Sequence, residues 1–381
     1  MFEAQSQVRL RQELTASIEA DRGLLDQLRA EIRPLRASAR RILPRSTTSL
    51  SLVGTDGGNN QLQFDPFLVQ IVRIVDSSNN EYCLEAVTPS TATSALSSRQ
   101  FNPSGKPRTA LGEMMEYLGV RDLGDLSPMI PAETRTRPRS PRWVEVYRDL
   151  MEWAVLFSVI RNKDFGTDTV IVRDGFLRSK VFSGDLFKRL VGGINESIAA
   201  QYLKNRRRVY LAGVAKRSQV LTRYRLAMAL EQVLMTDYPA YVVIPREIEA
   251  KSSIHREFDW GDDWQTGESE SSKFVGGKMF FVKFGNRPRD PVWPVDIFLP
   301  QEDDSQLIIG CMLSDAIAGF PVPFYPQCLQ RAHENAALVD FDFDILQDEI
   351  YEGVRSLLGD QGAALDIFRL QDLDVSSRRY D

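Results

Sequence analysis

The order of its apolar segments constrains this chain more than any other feature. Three strand-like runs come first: SLSLVG from Ser49, FLVQIVRIV (67–75) and EYCLEAV (81–87). The turn DSSNN (76–80) between the last two has hairpin chemistry. WVEVYRDLMEWAVLFSVI (143–160) then has helical length and few breakers. Beyond it, strands and helices alternate. Strands are expected at DTVIVRDG (168–175), RVYLAGVAK (208–216), YVVIP (241–245), KMFFVKFG (278–285) and VDIFLP (295–300). Helices are expected over 183–204, 223–234, 304–318 and 326–338, with an acidic, partly helical tail from 340. Neighbouring strands, a helix, then alternation predicts an α/β fold with a mixed sheet flanked by helices.

Ahead of this body, residues 4–42 read as helix. Leu10, Leu14, Ile18, Leu25, Leu28, Ile32 and Leu35 recur at helical spacing, and Pro34 should kink or end the run. This predicts an N-terminal helical extension over 1–45 and one large domain over 46–381. The extension suits coiled-coil pairing across a dimer, or folding back on its own domain. Residues 88–110 are rich in Ser, Thr, Pro and Gly and read as an exposed loop. Residues 127–142 read as a Pro/Arg-rich connector, and the polar, acidic stretch 246–276 as a loop or insertion.

Composition matters mainly for what it excludes. Cys83, Cys311 and Cys328 lie far apart and form no CxxC pair, which suits reduced thiols in a cytoplasmic protein. His255 and His333 are the two histidines, so a zinc site of several His or Cys ligands is not expected. No apolar run is long enough for a membrane span, and the N-terminus is too polar for a secretory signal. There is no GxxxxGK[ST] loop, so the chain is not read as an ATP-driven motor.

The formal net charge of −5 argues mildly against a nucleic-acid partner, but it is an average. Residues 1–134 carry 14 basic and 16 acidic side chains, net −2; residues 135–225 carry 20 and 8, net +12; residues 226–381 carry 13 and 28, net −15. A basic middle is what a polyanion needs, whatever the overall sign. Facing acidic and basic segments would give the same pattern.

Asp56 ends the first strand in TDGG, and Asp174 ends a later one in VRDGF. A following Gly lets the chain turn sharply, so that the carboxylate projects past the sheet edge. Glu152 lies on the intervening helix. Three such carboxylates can converge in this topology, and hard oxygen donors suit Mg²⁺ or Mn²⁺. Lys216 follows an apolar strand in GVAKRS, where a cation can hold a phosphate; Arg217 follows it. Tyr325 precedes a helix that carries His333.

The strand order matches the ribonuclease-H-like arrangement. TDGG, RDGFLRS, GVAKRS and FYPQCLQRAHENA, in this order, resemble the NurA nuclease family over about residues 49 to 340. The first motif is Asp-Gly-Gly where that family often has Asp-Gly-Ser. The resemblance implies a dimeric, Mn²⁺-dependent DNA end-processing nuclease partnered with a HerA-like hexameric ATPase. It implies that Asp56 and Asp174 are metal ligands and that Lys216, Tyr325 and His333 line the same site, with His333 a ligand or a proton shuttle. Glu152 is the best match to the family's helical glutamate. Arg135, Arg137, Arg139, Arg206, Arg207, Arg208 and Arg217 are candidates for phosphate contacts, and Phe176 and Phe324 for stacking on unpaired bases. Two rivals share these features: a ribonuclease-H-like enzyme acting on RNA or an RNA–DNA hybrid, and a silent partner-binding subunit.

Overall fold

Two largely apolar runs set the middle of the molecule. In the computed structural model, Thr169–Asp174 and Val209–Val214 are strands with almost every side chain buried. That is the pattern of parallel strands covered on both faces. The structure describes residues 4–45, 48–54, 61–64, 67–88, 90–130, 142–251, 273–338 and 340–359. Asp56, Arg135, Arg137, Arg139 and most of the 246–276 stretch lie outside the described residues.

In chain order the elements are α1 (Ala4–Ala20), α2 (Arg22–Ile32), α3 (Leu35–Ser38), β1 (Arg40–Arg41), β2 (Thr48–Gly54), β3 (Gln61–Phe64), β4 (Phe67–Asp76) and β5 (Glu81–Val87). Four helices follow: α4 (Thr93–Arg99), α5 (Ala110–Leu118), α6 (Leu123–Leu126) and α7 (Arg142–Asn162). The alternating part is β6 (Thr169–Asp174), α8 (Leu186–Asn205), β7 (Val209–Val214), α9 (Gln219–Leu230), β8 (Ala240–Val243), α10 (Arg246–Lys251), β9 (Gly277–Lys283) and β10 (Val292–Phe298). A 3₁₀ turn leads to α11 (Ser305–Ile317), α12 (Gln327–Ala336) and α13 (Asp340–Leu358).

The strands form one mixed sheet in the order β1-β8-β9-β10-β7-β6-β2-β4-β3, with β5 also paired to β4. β2, β6 and β7 are mutually parallel: Leu52 lies opposite Arg173, and Asp174 opposite Val214. The other pairings are antiparallel. The run β5-β4-β2-β6-β7, with α7 inserted before β6, is the ribonuclease-H-like order expected from sequence. The C-terminal ends of β2, β6 and β7 therefore leave the sheet along one edge.

Alternation in β6 assigns its side chains to two cores. Ile171 packs with α5, α7 and α8. Val170 and Val172 pack on the other face with α11 and α12. The helix α7 has Tyr147, Leu150, Ala154, Leu156 and Phe157 fully buried, so it lies inside the molecule rather than on its surface. A third core joins the antiparallel wing to α2 and α9.

Three expectations change. Residues 88–110 are not an exposed loop: α4 lies there, with Leu96 and Gln100 buried. The sparse apolar content hid it, because Ser97 and Gln100 satisfy themselves on the carbonyls of Thr93 and Leu96. The N-terminal extension is split. Leu28, Ile32 and Leu35 join the core with Tyr224 and Met228, and Arg29 and Arg33 both bond Glu231. α1 instead leaves Val8, Leu14 and Ile18 more than half exposed. α2 thus folds back on its own domain, one of the two arrangements the sequence allows. β3 was also missed; Gln-Leu-Gln-Phe is too short to show a period.

Lys283, at the end of β9, is fully buried. Its ammonium donates to the carbonyls of Thr236, Tyr238, Gly285 and Arg287 at 2.8, 3.1, 3.1 and 3.1 Å. One charge thereby ties two loops together.

Candidate active site

The edge where β6 and β7 end gathers three of the sequence-predicted residues. Asp174 is the last residue of β6, and Gly175 follows with φ +107°, a conformation glycine tolerates. Lys216 lies two residues past the end of β7. It is fixed between the strand and Ser218, whose hydroxyl caps α9 by accepting the Leu221 N–H at 3.2 Å. The Lys216 ammonium donates to Asp174 Oδ2 at 2.8 Å. Tyr325, nearly fully buried, donates its hydroxyl to Asp174 Oδ1 at 3.4 Å. Burial, then the Asp174 charge, raises the Tyr325 pKa well above that of a free phenol, so it stays a donor. Residues 174, 216 and 325 come from three separate motifs and meet on one carboxylate.

Glu152 arrives on α7. Its Oε2 accepts from the Arg173 guanidinium at 2.9 Å, Asp149 shares the same nitrogen at 2.7 Å, and Arg148 lies 3.6 Å from Oε1. Arg173 and Asp174 are adjacent on a strand, so they point to opposite faces. Glu152 thus meets Arg173 on one side while Asp174 faces Tyr325 on the other. Burial pushes the Glu152 carboxyl up to about 7; the Asp149 and Asp174 charges add to this, and Arg173 and Arg148 oppose it.

This has a testable consequence. A carboxyl whose folded pKa is raised binds more protons in the folded state, between its ordinary value near 4.5 and about 7. The folded chain is therefore destabilised as pH rises through that window. Glu152→Gln removes the effect. Its melting temperature relative to wild type should climb steadily from pH 5 to pH 8. A difference that does not vary with pH would refute the assignment.

His333 is on α12, half-buried, beside Ala332, which packs with Ala336 on Val75 of β4. Among the described residues its ring makes no hydrogen bond to Asp174. Arg217 is exposed next to Lys216. Arg206, Arg207 and Arg208 are elsewhere: they precede β7 and so lie at the opposite end of the parallel strands, roughly 20 Å along β7 from Asp174. There Arg206 and Arg208 stack on Tyr202 at 5.7 and 5.9 Å, and the Arg208 N–H bonds Asp168. Sequence charge could not separate the two strand ends. Phe176 and Phe324 are partly buried, each against one of the cores.

Sequence reading missed two features. The exposed apolar side chains Ile317, Phe320 and Val322 lie just before Tyr325; Phe320 is 75% exposed. Gln330 holds this loop through Val322 and Tyr325, and a side chain at Gly319 would strike the Tyr325 carbonyl. Arg173 was the other; its one signal was a charge inside an apolar strand.

Among the described residues, no three His, Cys, Asp or Glu side chains converge as a metal site. Asp174 and Glu152 are nonetheless hard oxygen donors, and their mutual repulsion is what a divalent cation would relieve. Glu152 is engaged by Arg173 on the other face of β6, so the two would share an ion only past the end of the strand, with Glu152 released from Arg173 and a third ligand present. β2, whose Leu52 lies opposite Arg173, runs toward the same edge, and Asp56 follows it outside the described residues.

No protein-family model matches this chain, and no curated protein matches it. Among solved structures, the crystal structure of the NurA nuclease from Sulfolobus solfataricus is similar. The two are 13% identical with a TM-score of 0.42, over 94% of this chain and 98% of that one. No described helix is long and apolar enough to cross a membrane.

Proposed function

We propose that this chain is a metal-dependent nuclease that hydrolyses DNA phosphodiesters at Asp174. One observation carries the reading: in RDGFLRS, GVAKRS and FYPQCLQRAHENA, motifs that resemble one nuclease family, Lys216 and Tyr325 both bond the Asp174 carboxylate. Asp56, Glu152 and Asp174 would hold Mn²⁺ or Mg²⁺. When bound, such an ion supplies a Lewis acid for the phosphate and lowers the pKa of the attacking water. Lys216, half exposed, can exchange Asp174 for a phosphate oxygen. Tyr325 keeps Asp174 oriented. His333 is assigned to a metal or to the leaving oxygen.

Lys216 and Arg217 supply the phosphate contacts closest to the site, whereas Arg206–Arg208 would serve only a longer strand. The proposal includes end-resection or defence work beside a HerA-like hexameric ATPase, and a homodimer. Co-migration with such a hexamer would test the partnership.

Two experiments test the activity. Labelled single-stranded DNA, duplex DNA, RNA and RNA–DNA hybrid are incubated with the protein and Mn²⁺; the DNA substrates are expected to be cut, and cleavage confined to RNA or hybrid would overturn the reading. Binding of DNA should also weaken by about 10-fold or more between 50 and 200 mM salt. Binding that does not respond to salt would rule out the basic edge as the contact surface.

A further inference from the structure

The turn that follows Asp174 is fixed by a buried ionic cluster outside the proposed site. Four backbone groups of that turn have named partners. The Gly175 N–H donates to the Val214 carbonyl at 2.8 Å, and the Phe176 carbonyl accepts from Arg173 at 3.0 Å. The Leu177 N–H donates to Asp296 Oδ2 at 3.1 Å, and the Leu177 carbonyl accepts from the Gly276 N–H at 2.8 Å.

Asp296, on β10, is fully buried and also accepts two bonds from the Arg178 guanidinium, both at 2.8 Å. The remaining arm of Arg178 donates to Glu249 Oε2 on α10 at 2.7 Å. Glu249 is 5% exposed, and its Oε1 is buried without a hydrogen-bond partner. The backbone is shaped to admit this cluster. Gly213, opposite Asp296 in the sheet, lies under the turn, and a Cβ there would come within 2.4 Å of the Gly175 carbonyl oxygen. At Gly277 a Cβ would strike the Asp296 side chain at 2.7 Å.

Packing alone does not account for such a cluster. A buried ion pair is often no more stabilising than apolar residues of the same volume. What it adds is direction, because a bidentate guanidinium fixes both angle and distance. We infer that Arg178, clamped between Asp296 and Glu249, is a positioning residue that sets where the Asp174 carboxylate meets Lys216 and Tyr325. The inference deepens the nuclease reading and rests on it.

The test compares wild type, Arg178→Lys, Arg178→Ala and the milder Glu249→Gln, each checked for folding by its melting temperature. Cleavage of labelled DNA in Mn²⁺ gives kcat and KM. Arg178→Lys keeps the charge but loses the fork; kcat should fall about 10²-fold with KM nearly unchanged. Glu249→Gln should move kcat less, in the same direction. Millimolar guanidinium, but not urea, should restore part of the activity of Arg178→Ala. A second readout needs no cleavage: the carboxyl ¹³C signal of Asp174 should shift in Arg178→Lys. A KM rise at constant kcat would make Arg178 a nucleic-acid contact and overturn the inference. So would an unmoved Asp174 signal in a folded variant. If wild type cuts nothing while the signal still shifts, the nuclease reading falls and the clamp stands.

Discussion

Asp174→Asn is expected to lower DNA cleavage by about 10²-fold or more, yet to melt no lower than wild type. The first half follows from convergence. Asp174 is the group that Lys216 and Tyr325 both address, so replacing it removes a metal donor and the anchor of both neighbours. The second half follows from charge. Burial pushes the Glu152 carboxyl up to about 7 and the Asp174 charge adds to this, so removing that charge relieves Glu152 near neutrality and offsets the lost pairing with Lys216. An amide of the same size keeps an acceptor for Tyr325 and removes that repulsion. Functional groups held against their neighbours commonly show this trade between activity and stability. Steady-state cleavage and a melting curve on the same preparation check both halves. A variant that melts far lower would mean that the carboxylate serves the fold.

Lys283→Met is expected to act the other way, with a stability loss of about 4 kcal/mol and chemistry intact once folded. Four backbone carbonyls converge on one buried ammonium. Methionine matches the length of the stem but donates nothing, so these buried acceptors lose a charged donor together. The loops at 236–238 and 285–287 lie along the same sheet edge as Asp174, but in the antiparallel wing, with β10 between them and β7. Denaturant unfolding gives the stability change, and kcat at low temperature gives the control. A loss below about 1 kcal/mol would mean that the carbonyls find water instead.

The topology was legible in the sequence because it depends on the order and period of apolar segments. SLSLVG, FLVQIVRIV and EYCLEAV announced the meander, and TVIVRD announced the parallel partner of the first strand. The Asp-Gly at 174–175 announced the strand end. Other features depend on tertiary contacts, which a local pattern does not contain. α4 is short and partly polar, and its buried Ser97 and Gln100 bond their own helix. The partition of the basic middle was invisible for another reason. Lys216 and Arg206–Arg208 are close in sequence, but a six-residue strand separates them in space. Arg178 reads as one more surface charge in RDGFLRS; its partners lie 71 and 118 residues away. Glu152 was found through the order of elements, whereas its pairing with Arg173 needed the sheet to place the two side by side.

The account rests on Asp174 and Glu152 being donors to one divalent cation. Diffraction from crystals soaked in Mn²⁺, recorded at the manganese absorption edge, measures this directly. The account predicts an anomalous peak against the Asp174 carboxylate, with Glu152 drawn toward it, and no such peak in Asp174→Asn. A peak bound elsewhere, with Asp174 still paired to Lys216, would contradict it.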